Sequence, residues 1–189
     1  MTMTLDGTSG ITQMTGSIVM SGSTSGTTTI IPSAVAGSNT ATLPAATGTV
    51  MVSGNMPAFS YYQSSAQTIA SINTFTKVTF TSNDFDTTSG MFASSRFTPT
   101  VAGYYQVNGG VAVSTALCTT VVAIFKNGSA YKYLQNTPSS LVGGAYGATL
   151  VYLNGSTDYI ELYTSIGISQ ALATGTSQTY FNGAMVRSA

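Results

Sequence analysis

The chain of 189 residues is 43% hydrophobic, which is enough to build a core, yet only 5% of its residues are charged and its net charge is zero. Typical soluble domains are about 25% charged, so threonine, serine and glycine supply the polarity here. This composition excludes the basic surface that nucleic-acid binding needs, and no apolar run approaches the roughly 20 residues of a membrane helix. Because near-zero net charge promotes association, we predict an obligate oligomer adapted to a large assembly rather than a hydroxyl-rich monomer.

The residue inventory also limits the chemistry. The chain has no histidine and one cysteine, Cys118, so Ser-His-Asp and Cys-His arrangements are impossible and no internal disulfide can form. Cys118 lies in the apolar run ALCTTVVAIF and is predicted to be a small buried hydrophobe. We expect a protein without enzymatic activity and without a cofactor. The first residues, MTMTLDGTSG, lack the basic and apolar regions of a secretory signal.

Residues 1–56 differ from the rest of the chain, because they are low in complexity and contain no aromatic residue. Three short β-favouring pieces, Ser17–Met20, Thr27–Ile31 and Thr49–Val52, alternate with glycine, serine and proline. Isolated hairpins are marginal in water, and composition alone would also permit a flexible linker. We predict that residues 1–56 form an intertwined β-rich stalk or anchor, ordered by sister chains or by a docking partner.

From Pro57 onward aromatic residues occur in every segment, and residues 57–189 are predicted to form a second domain. Short runs with β-strand character recur between turn signals, with Ser82–Ser95 predicted as a loop and Asn127-Gly128 and Asn154-Gly155 as hairpin turns. The predicted strands include Thr74–Thr81, Gly103–Val113, Val121–Phe125, Ala130–Leu134, Ala148–Leu153, Asp158–Tyr163 and Tyr180–Val186. Eight to ten short strands without helical periodicity predict an all-β fold, an antiparallel β-sandwich of the jelly-roll type.

The longest alternation follows the turn residues Thr98-Pro99 and Ala102-Gly103. Tyr105, Val107, Gly109, Val111 and Val113 share one face of the predicted strand, and Tyr104, Gln106, Asn108, Gly110 and Ala112 share the other. The pairs Asn108-Gly109 and Asn182-Gly183 fall inside alternating runs, so we interpret both as strand interiors. Glycine within a strand often marks the close approach of another backbone or ring.

Six short motifs stand in a characteristic order: Pro57-Ala58-Phe59-Ser60, Val78-Thr79-Phe80, Arg96-Phe97-Thr98, Gly103-Tyr104-Tyr105, Lys126-Asn127-Gly128 and Tyr180-Phe181-Asn182-Gly183. Over residues 57–189 they resemble the globular head of complement C-one-q and its relatives, a tumour-necrosis-factor-like jelly roll that trimerises. The forms GYYQVNGGVAV and TYFNGAMVRSA, together with GSTSGTTTIIPSAVAGSNTATLPAATGTV, are most similar to bacteriophage structural proteins. Animal members carry a collagen stalk and a signal peptide. This chain has neither, since its glycines lack the every-third-residue pattern of collagen.

The resemblance implies a homotrimeric phage virion protein, displayed as a fibre, spike or knob. Head fibre, capsid decoration and short tail fibre are all compatible with it. Residues 1–56 would dock to capsid or tail proteins, and residues 57–189 would adhere to the host surface, which places the protein on the virion after synthesis in the bacterial cytoplasm. A polysaccharide-degrading tail spike and a secreted recognition module are the alternatives.

A jelly roll with apolar residues on both strand faces has more to bury than one interior can take, and in the resembled family aromatic residues near the last strand contact the neighbouring subunit. This predicts a trimer interface, although core placement is equally compatible with each residue. The candidates are Tyr104, Gln106, Val151, Leu153, Tyr180, Phe181 and Met185.

Two further sets of side chains are weaker candidates for binding. Asp84 and Asp86 are weak candidates for calcium ligands, because they fall short of the six to eight oxygens that calcium takes, and we favour a polar loop without a metal. The pairs Asp84/Asp86 and Asp158/Glu161 also meet the spacing of glycosidase carboxylates, but loop solvation and turn capping explain them. The tyrosines that could stack on the sugar rings of a host glycan, or simply line sandwich edges, are Tyr61, Tyr62, Tyr131, Tyr133 and Tyr146.

Overall fold

The computed structural model describes residues 17–31, 33, 41, 45, 47–48, 50–88, 90–137 and 143–189, and the chain forms two compact units, Met1–Thr47 and Gly48–Ala189. In the first unit, strands β1 (Ile18–Ser21) and β2 (Thr27–Ile30) form an antiparallel hairpin whose residues are all exposed. This confirms strands in two of the predicted pieces.

In the third predicted piece, Thr49 lies outside the described residues, and residues 50–52 lead into a 3₁₀ helix, Ser53–Asn55, instead of a strand. Met51 packs against the core of the second unit. The division of the chain at residue 57, the intertwined stalk and its docking to virion proteins stay predictions. No helix in the described residues is long and apolar enough to cross a membrane.

The second unit is a sandwich of two antiparallel sheets. Its strands are β3 (Ala58–Tyr62), β4 (Thr68–Ile69), β5 (Thr76–Lys77), β6 (Ser82–Asp86), β7 (Phe92–Ala93), β8 (Arg96–Phe97), β9 (Gly103–Ala112), β10 (Thr120–Lys126), β11 (Ser129–Thr137), β12 (Gly144–Leu153), β13 (Ile160–Ile166), β14 (Gln170–Ala171) and β15 (Tyr180–Ser188). The six-stranded sheet has the order β11-β10-β13-β8-β7, with β5 also paired to β13. The five-stranded sheet has the order β12-β9-β15-β3-β6, and β14 pairs with β4 in a separate ribbon.

The core lies between the two large sheets and confirms the predicted all-β sandwich. Alternate residues of β9, β12 and β15 point inward. Phe59 is the centre of an aromatic cluster, with ring centroids 4.5 Å from Phe97, 5.0 Å from Phe92 and 5.2 Å from Phe181. Cys118 is buried, as predicted, and its sulfur accepts a hydrogen bond from Gln170. Burying such side chains stabilises the fold by about 1.5–3 kcal/mol each.

The long predicted alternation is confirmed as β9. Tyr105, Val107 and Val111 are fully buried, while Tyr104 on the opposite face is exposed. Asn108-Gly109 and Asn182-Gly183 are strand interiors, as expected. A Cβ at Gly109 would lie 2.3 Å from a methyl group of Leu162, so the glycine allows a core side chain to approach the backbone.

Three local predictions are wrong. Thr74–Thr81 is not one continuous strand, because only Thr76–Lys77 within it is a strand. The segment Ser82–Ser95 is not wholly a loop, because Ser82–Asp86 is an edge strand paired with β3 and Phe92–Ala93 is paired with β8. Asn154-Gly155 does not close a hairpin, since the strands on either side of it, β12 and β13, belong to different sheets.

The two Asn-Gly turns differ in what they connect. Asn127-Gly128 joins the paired strands β10 and β11 with both residues at positive φ, 53° and 80°, which confirms the predicted hairpin turn. At the other turn, the side-chain oxygen of Asn154 accepts backbone hydrogen bonds from Ser156, Thr157 and Asp158 at 3.0, 2.9 and 3.0 Å. These bonds shape a compact loop that carries the chain across the sandwich.

Candidate functional site: the outer face of the five-stranded sheet

Strand alternation divides the predicted interface residues between two faces of the five-stranded sheet. Val151, Leu153, Phe181 and Met185 point inward and are at most 3% exposed. Their prediction as interface residues is therefore wrong, because they fill the core of a single chain and reach no surface. The remaining three, Tyr104, Gln106 and Tyr180, lie on the outer face.

The outer face is almost free of charge. Strands β12, β9, β15 and β3 together carry a single charged residue, Arg187, near the end of β15. The two aspartates of this sheet, Asp84 and Asp86, are both on its edge strand β6. Depletion of charge is the compositional mark of the centre of a protein interface.

One end of this face exposes an apolar patch, made of Tyr104, Leu150, Tyr152 and Val186. Tyr104 and Tyr152 are cross-strand partners whose ring centroids are 5.4 Å apart. Leu150 and Val186 are 53% and 54% exposed, and both tyrosines are more than 40% exposed. Water-exposed apolar groups that are contiguous in this way mark interaction surfaces.

The centre of the face is a shallow polar trough of about 540 Å³. On its floor, Asn108 donates a side-chain hydrogen bond of 2.6 Å to Asn182, and Ser60 donates one of 2.9 Å to Asp84. A second depression of about 210 Å³ adjoins the trough and shares Ser60, Asn108 and Asn182 with it. The floor is thus polar but neutral, apart from Asp84 at its edge.

Two tyrosines form the wall of the trough at the end opposite the apolar patch. The rings of Tyr146 and Tyr180 are nearly parallel, with centroids 6.3 Å apart. Both lie over Gly110, where a Cβ would come within 2.4 Å of Tyr146 and 2.7 Å of Tyr180. Glycine at this position therefore allows the two rings to pack flat against β9. Burial of Tyr146 in this wall raises the pKa of its hydroxyl group.

The structure does not bring the five predicted sugar-stacking tyrosines together. Tyr146 is in the trough and Tyr62 is on the same sheet face, but Tyr131 and Tyr133 are on β11, in the other sheet. Tyr61 points inward, where its ring stacks on Phe92 at 3.8 Å. Burial, together with a hydrogen bond to Asp86, raises the pKa of Tyr61 to about 12.

The calcium candidates have protein partners. Asp86 accepts hydrogen bonds from the Tyr61 hydroxyl at 2.6 Å and from the backbone and side chain of Thr88, so both of its oxygens are engaged. Asp84 accepts from Ser60. Within the described ranges, no three acidic, histidine or cysteine side chains come together in the way a metal site requires.

The second carboxylate pair is held by cations. Asp158 pairs with Lys126 at 2.8 Å, and Glu161 pairs with Lys77 at 2.7 Å and with Arg96 at 2.8 Å. Burial raises the pKa of Glu161, but the hydrogen bonds from Lys77 and Arg96 outweigh it, so the pKa is lowered overall. A general acid needs a raised pKa, which this carboxyl lacks.

Comparison with known proteins finds similarity in structure only. No family model matches the chain, and no curated protein matches it. The globular domain of zebrafish complement 1qA protein aligns with a TM-score of 0.51 at 17% identity, covering 70% of this chain and 98% of that one. Eiger TNF from S. frugiperda aligns with a TM-score of 0.51 at 9% identity, covering 71% and 95%. Murine APRIL at pH 8.0 aligns with a TM-score of 0.50 at 13% identity, covering 69% and 99%.

These alignments show that the chain has the jelly-roll fold shared by the complement and tumour-necrosis-factor-like proteins. At such low identities they show the fold alone, because one fold hosts many functions. Only part of the outer face of the five-stranded sheet was predicted from the sequence, and that part did not include Leu150 and Tyr152. Leu150 and Tyr152 alternate with Val151 and Leu153, and either pair is apolar enough to be the buried one.

Proposed function

We propose that the protein is a non-enzymatic bacteriophage virion protein that forms a homotrimeric fibre, spike or knob on the particle surface. Its position on the particle would be that of a head fibre, a capsid decoration or a short tail fibre. Residues 1–56 dock it to capsid or tail proteins, and the sandwich is displayed outward to adhere to the host. The motif resemblance and the low-charge, hydroxyl-rich composition support this role.

The observation that carries the assembly is the nearly uncharged outer face of the five-stranded sheet, whose charged residues are Arg187, the cross-strand partner of Tyr104, and Asp84 at the edge of the trough. Its apolar patch exposes Tyr104, Leu150, Tyr152 and Val186 beside a neutral amide floor. Burying neutral, hydrogen-bonded amides costs far less than burying charges, so this face suits contact with other copies of the chain. The other large sheet, which carries most of the charged residues, stays in water.

A trimer also gives the exposed hairpin of β1 and β2 a physical role. Ile18, Val19, Met20 and Ile30 are all 44–58% exposed in one chain. A two-stranded hairpin with its apolar side chains in water is marginally stable by itself. Three chains that join through their sandwiches raise the local concentration of the hairpins, which favours their packing together.

Molar mass in solution tests the assembly. For the full chain of 19.4 kDa, sedimentation equilibrium is expected to give three times this mass. Leu150→Glu, which places a carboxylate in the apolar patch, is expected to give a folded monomer, whereas Lys132→Glu on the other sheet is expected to leave the trimer intact. A monomeric wild-type chain at micromolar concentration would exclude the proposed assembly.

Antibody-gold labelling of intact phage particles tests the virion role. Antibodies against residues 57–189 are expected to label the particle surface at fixed positions on the head or tail. The same antibodies after absorption with purified protein are the control, and they should label nothing. Particles that stay unlabelled, while the antibody recognises the protein in lysates of infected cells, would contradict the proposal.

A further inference from the structure

The charged residues of the sandwich are concentrated on the six-stranded sheet. Lys77, Arg96, Lys126 and Lys132 are on β5, β8, β10 and β11. The acidic residues that accompany them are Glu161 on β13 and Asp158 in the loop before β13. Four basic and two acidic residues give this sheet, together with the loop before β13, a net charge of +2. In a protein whose total net charge is zero, this sheet is therefore the electropositive side.

Two of these cations converge on one oxygen atom. The Nζ of Lys77 and the Nε of Arg96 lie 2.7 and 2.8 Å from the same Oε1 of Glu161. The side chain of Glu161 is only 3% exposed, whereas those of Lys77 and Arg96 are 28% and 43% exposed. The carboxylate is thus covered by its partners. A ligand that approaches from water meets two cations, with a net charge of +1.

The guanidinium of Arg96 is stacked on the ring of Tyr159, and the edge that carries its two terminal nitrogens faces away from the hydrogen bond that Nε donates to Glu161. Its Cζ lies 3.8 Å from the ring centroid of Tyr159, so the ring covers one side of the guanidinium plane. Its Nε is used by Glu161, but neither terminal nitrogen has an acceptor within the part of the chain that the structure describes. A stacked guanidinium with a free edge is the geometry that binds carboxylate or phosphate with two parallel hydrogen bonds.

The platform under Arg96 is itself fixed. The backbone N–H of Tyr159 donates to the side-chain oxygen of Asn127 at 2.9 Å, and the backbone N–H of Asn127 donates to the carbonyl of Tyr159 at 3.1 Å. Asp158 holds the amide of Asn127 at 2.7 Å and Lys126 at 2.8 Å. The platform therefore needs little further ordering when a ligand binds, which favours affinity.

We propose that Lys77 and Arg96 form an anion subsite for the carboxylate or phosphate groups of an acidic polysaccharide. Arg96 binds the anion through its free edge, Lys77 contributes a point charge, and Glu161 keeps the two cations together. The proposal rests on the proposed function in one respect, which is that the polysaccharide belongs to the host surface. Because the subsite lies on the sheet that stays in water, a trimer presents three copies, and avidity strengthens weak single contacts.

Binding of the full chain to immobilised polymers tests the subsite. The surfaces carry poly(glycerol phosphate), hyaluronate or neutral dextran, which separates phosphate from carboxylate recognition. We expect binding to at least one anionic polymer and no binding to dextran. Raising the salt concentration from about 50 to about 300 mM should weaken the binding steeply, because salt screens the attraction between exposed charges. Arg96→Gln and Lys77→Gln are each expected to weaken binding about 10-fold, the size expected for one charge-assisted hydrogen bond.

Matched variants separate recognition from folding and from general charge. Lys132→Gln removes a positive charge from the same sheet, at a residue without an ion pair among those described, and is expected to change binding less than 2-fold. Arg96→Lys keeps the charge beside Glu161 but removes the planar edge, so it is expected to bind more weakly than wild type while its melting temperature stays near that of wild type.

Equal losses for Lys132→Gln and Arg96→Gln, or no binding to either anionic polymer, would overturn the subsite. Sedimentation of the same samples separates this failure from failure of the proposed function. A trimer without anion binding would remove only the subsite. A monomer that still binds the anionic polymer through Arg96 would remove the assembly and keep the subsite.

Discussion

The side-chain amide of Asn108 donates a hydrogen bond of 2.6 Å to the side-chain oxygen of Asn182, its cross-strand partner on β15. The pair lies in the middle of the exposed face of the five-stranded sheet. Each amide partly satisfies the other, so the centre of the face is polar without carrying charge. Such a surface can be covered by another copy of the chain at a modest desolvation cost.

Asn182→Asp is therefore expected to prevent assembly. The new carboxylate would lie beside Asn108 on the trough floor, with Asp84 at the edge of the same trough, and an unpaired charge is strongly unfavourable in a buried contact. Sedimentation equilibrium should detect a folded monomer. Asn136→Asp makes the same change at an exposed position of the six-stranded sheet and should remain trimeric. Loss of assembly in both variants would indicate an effect of net charge rather than of this face.

Leu153 on β12 and Tyr104 on β9 lie at the same end of two paired strands. We expect Leu153 to determine the stability of the sandwich and Tyr104 to determine the stability of the trimer. Leu153→Ala leaves a cavity in the core and should lower the free energy of unfolding by about 2–5 kcal/mol. Tyr104→Ala should change it by no more than about 0.5 kcal/mol, as is usual for surface positions. Urea denaturation in the Leu150→Glu background measures both without the contribution of assembly. In the wild-type background, Tyr104→Ala should weaken the trimer. If Leu153→Ala weakened the trimer without lowering the free energy of unfolding, Leu153 would be an interface residue after all.

Glu161→Gln is expected to lower stability by about 1–2 kcal/mol near neutral pH, because it removes two charge-assisted hydrogen bonds but leaves Lys77 and Arg96 partly exposed to water. The pKa of Glu161 is below its ordinary value of 4.5 in the folded chain, since the hydrogen bonds from Lys77 and Arg96 outweigh its burial. Its contribution is present above pH 4.5 and is lost as the pH falls through the lowered pKa. Thermal melting from pH 7 to pH 2.5 should therefore be flatter for the variant than for wild type. Parallel profiles would mean that Glu161 is not the titrating group.

Gly109→Ala is expected to destabilise the sandwich by about 1–3 kcal/mol through overpacking. Its added methyl group would lie 2.3 Å from a methyl group of Leu162, and Leu162 is fully buried between the sheets. Gly54→Ala is the matched control, because a Cβ there has nothing within 4 Å. Chemical denaturation of the two variants should show a lower midpoint for Gly109→Ala alone. Equal midpoints would mean that Leu162 moves aside without cost.

The fold was predictable from local signals, and the reason is physical. Alternation in β9, the central apolar run of β10 and the Asn127-Gly128 turn each reflect interactions within a few residues or across one hairpin. The edge strand β6 was missed because it alternates no apolar residues, and its pairing with β3 depends on backbone hydrogen bonds. Backbone hydrogen bonds of this kind do not require particular side chains, so the sequence of β6 does not indicate that it is a strand.

The candidate sites were less predictable, because they depend on which face of a strand is buried. In β12 and β15 both faces are apolar, so Val151, Leu153, Phe181 and Met185 could be core or interface on sequence alone. The ion-pair cluster was also missed, since Lys77 is 84 residues from Glu161 and Arg96 is 65 residues from it. Only the pairing of β5 and β8 with β13 brings these charges together.

Composition and the period of the apolar pattern therefore determined that the chain is an all-β sandwich with few charged residues and no histidine-based active site. These properties belong to the residues themselves or to near neighbours. The tertiary structure decided the rest. It decided that Tyr104 and Asn182 face outward while Leu153 and Phe181 face inward, and that the charged residues gather on the opposite sheet. A shift of one residue in register exchanges the two faces of a strand, and only packing of the whole sandwich selects one of them.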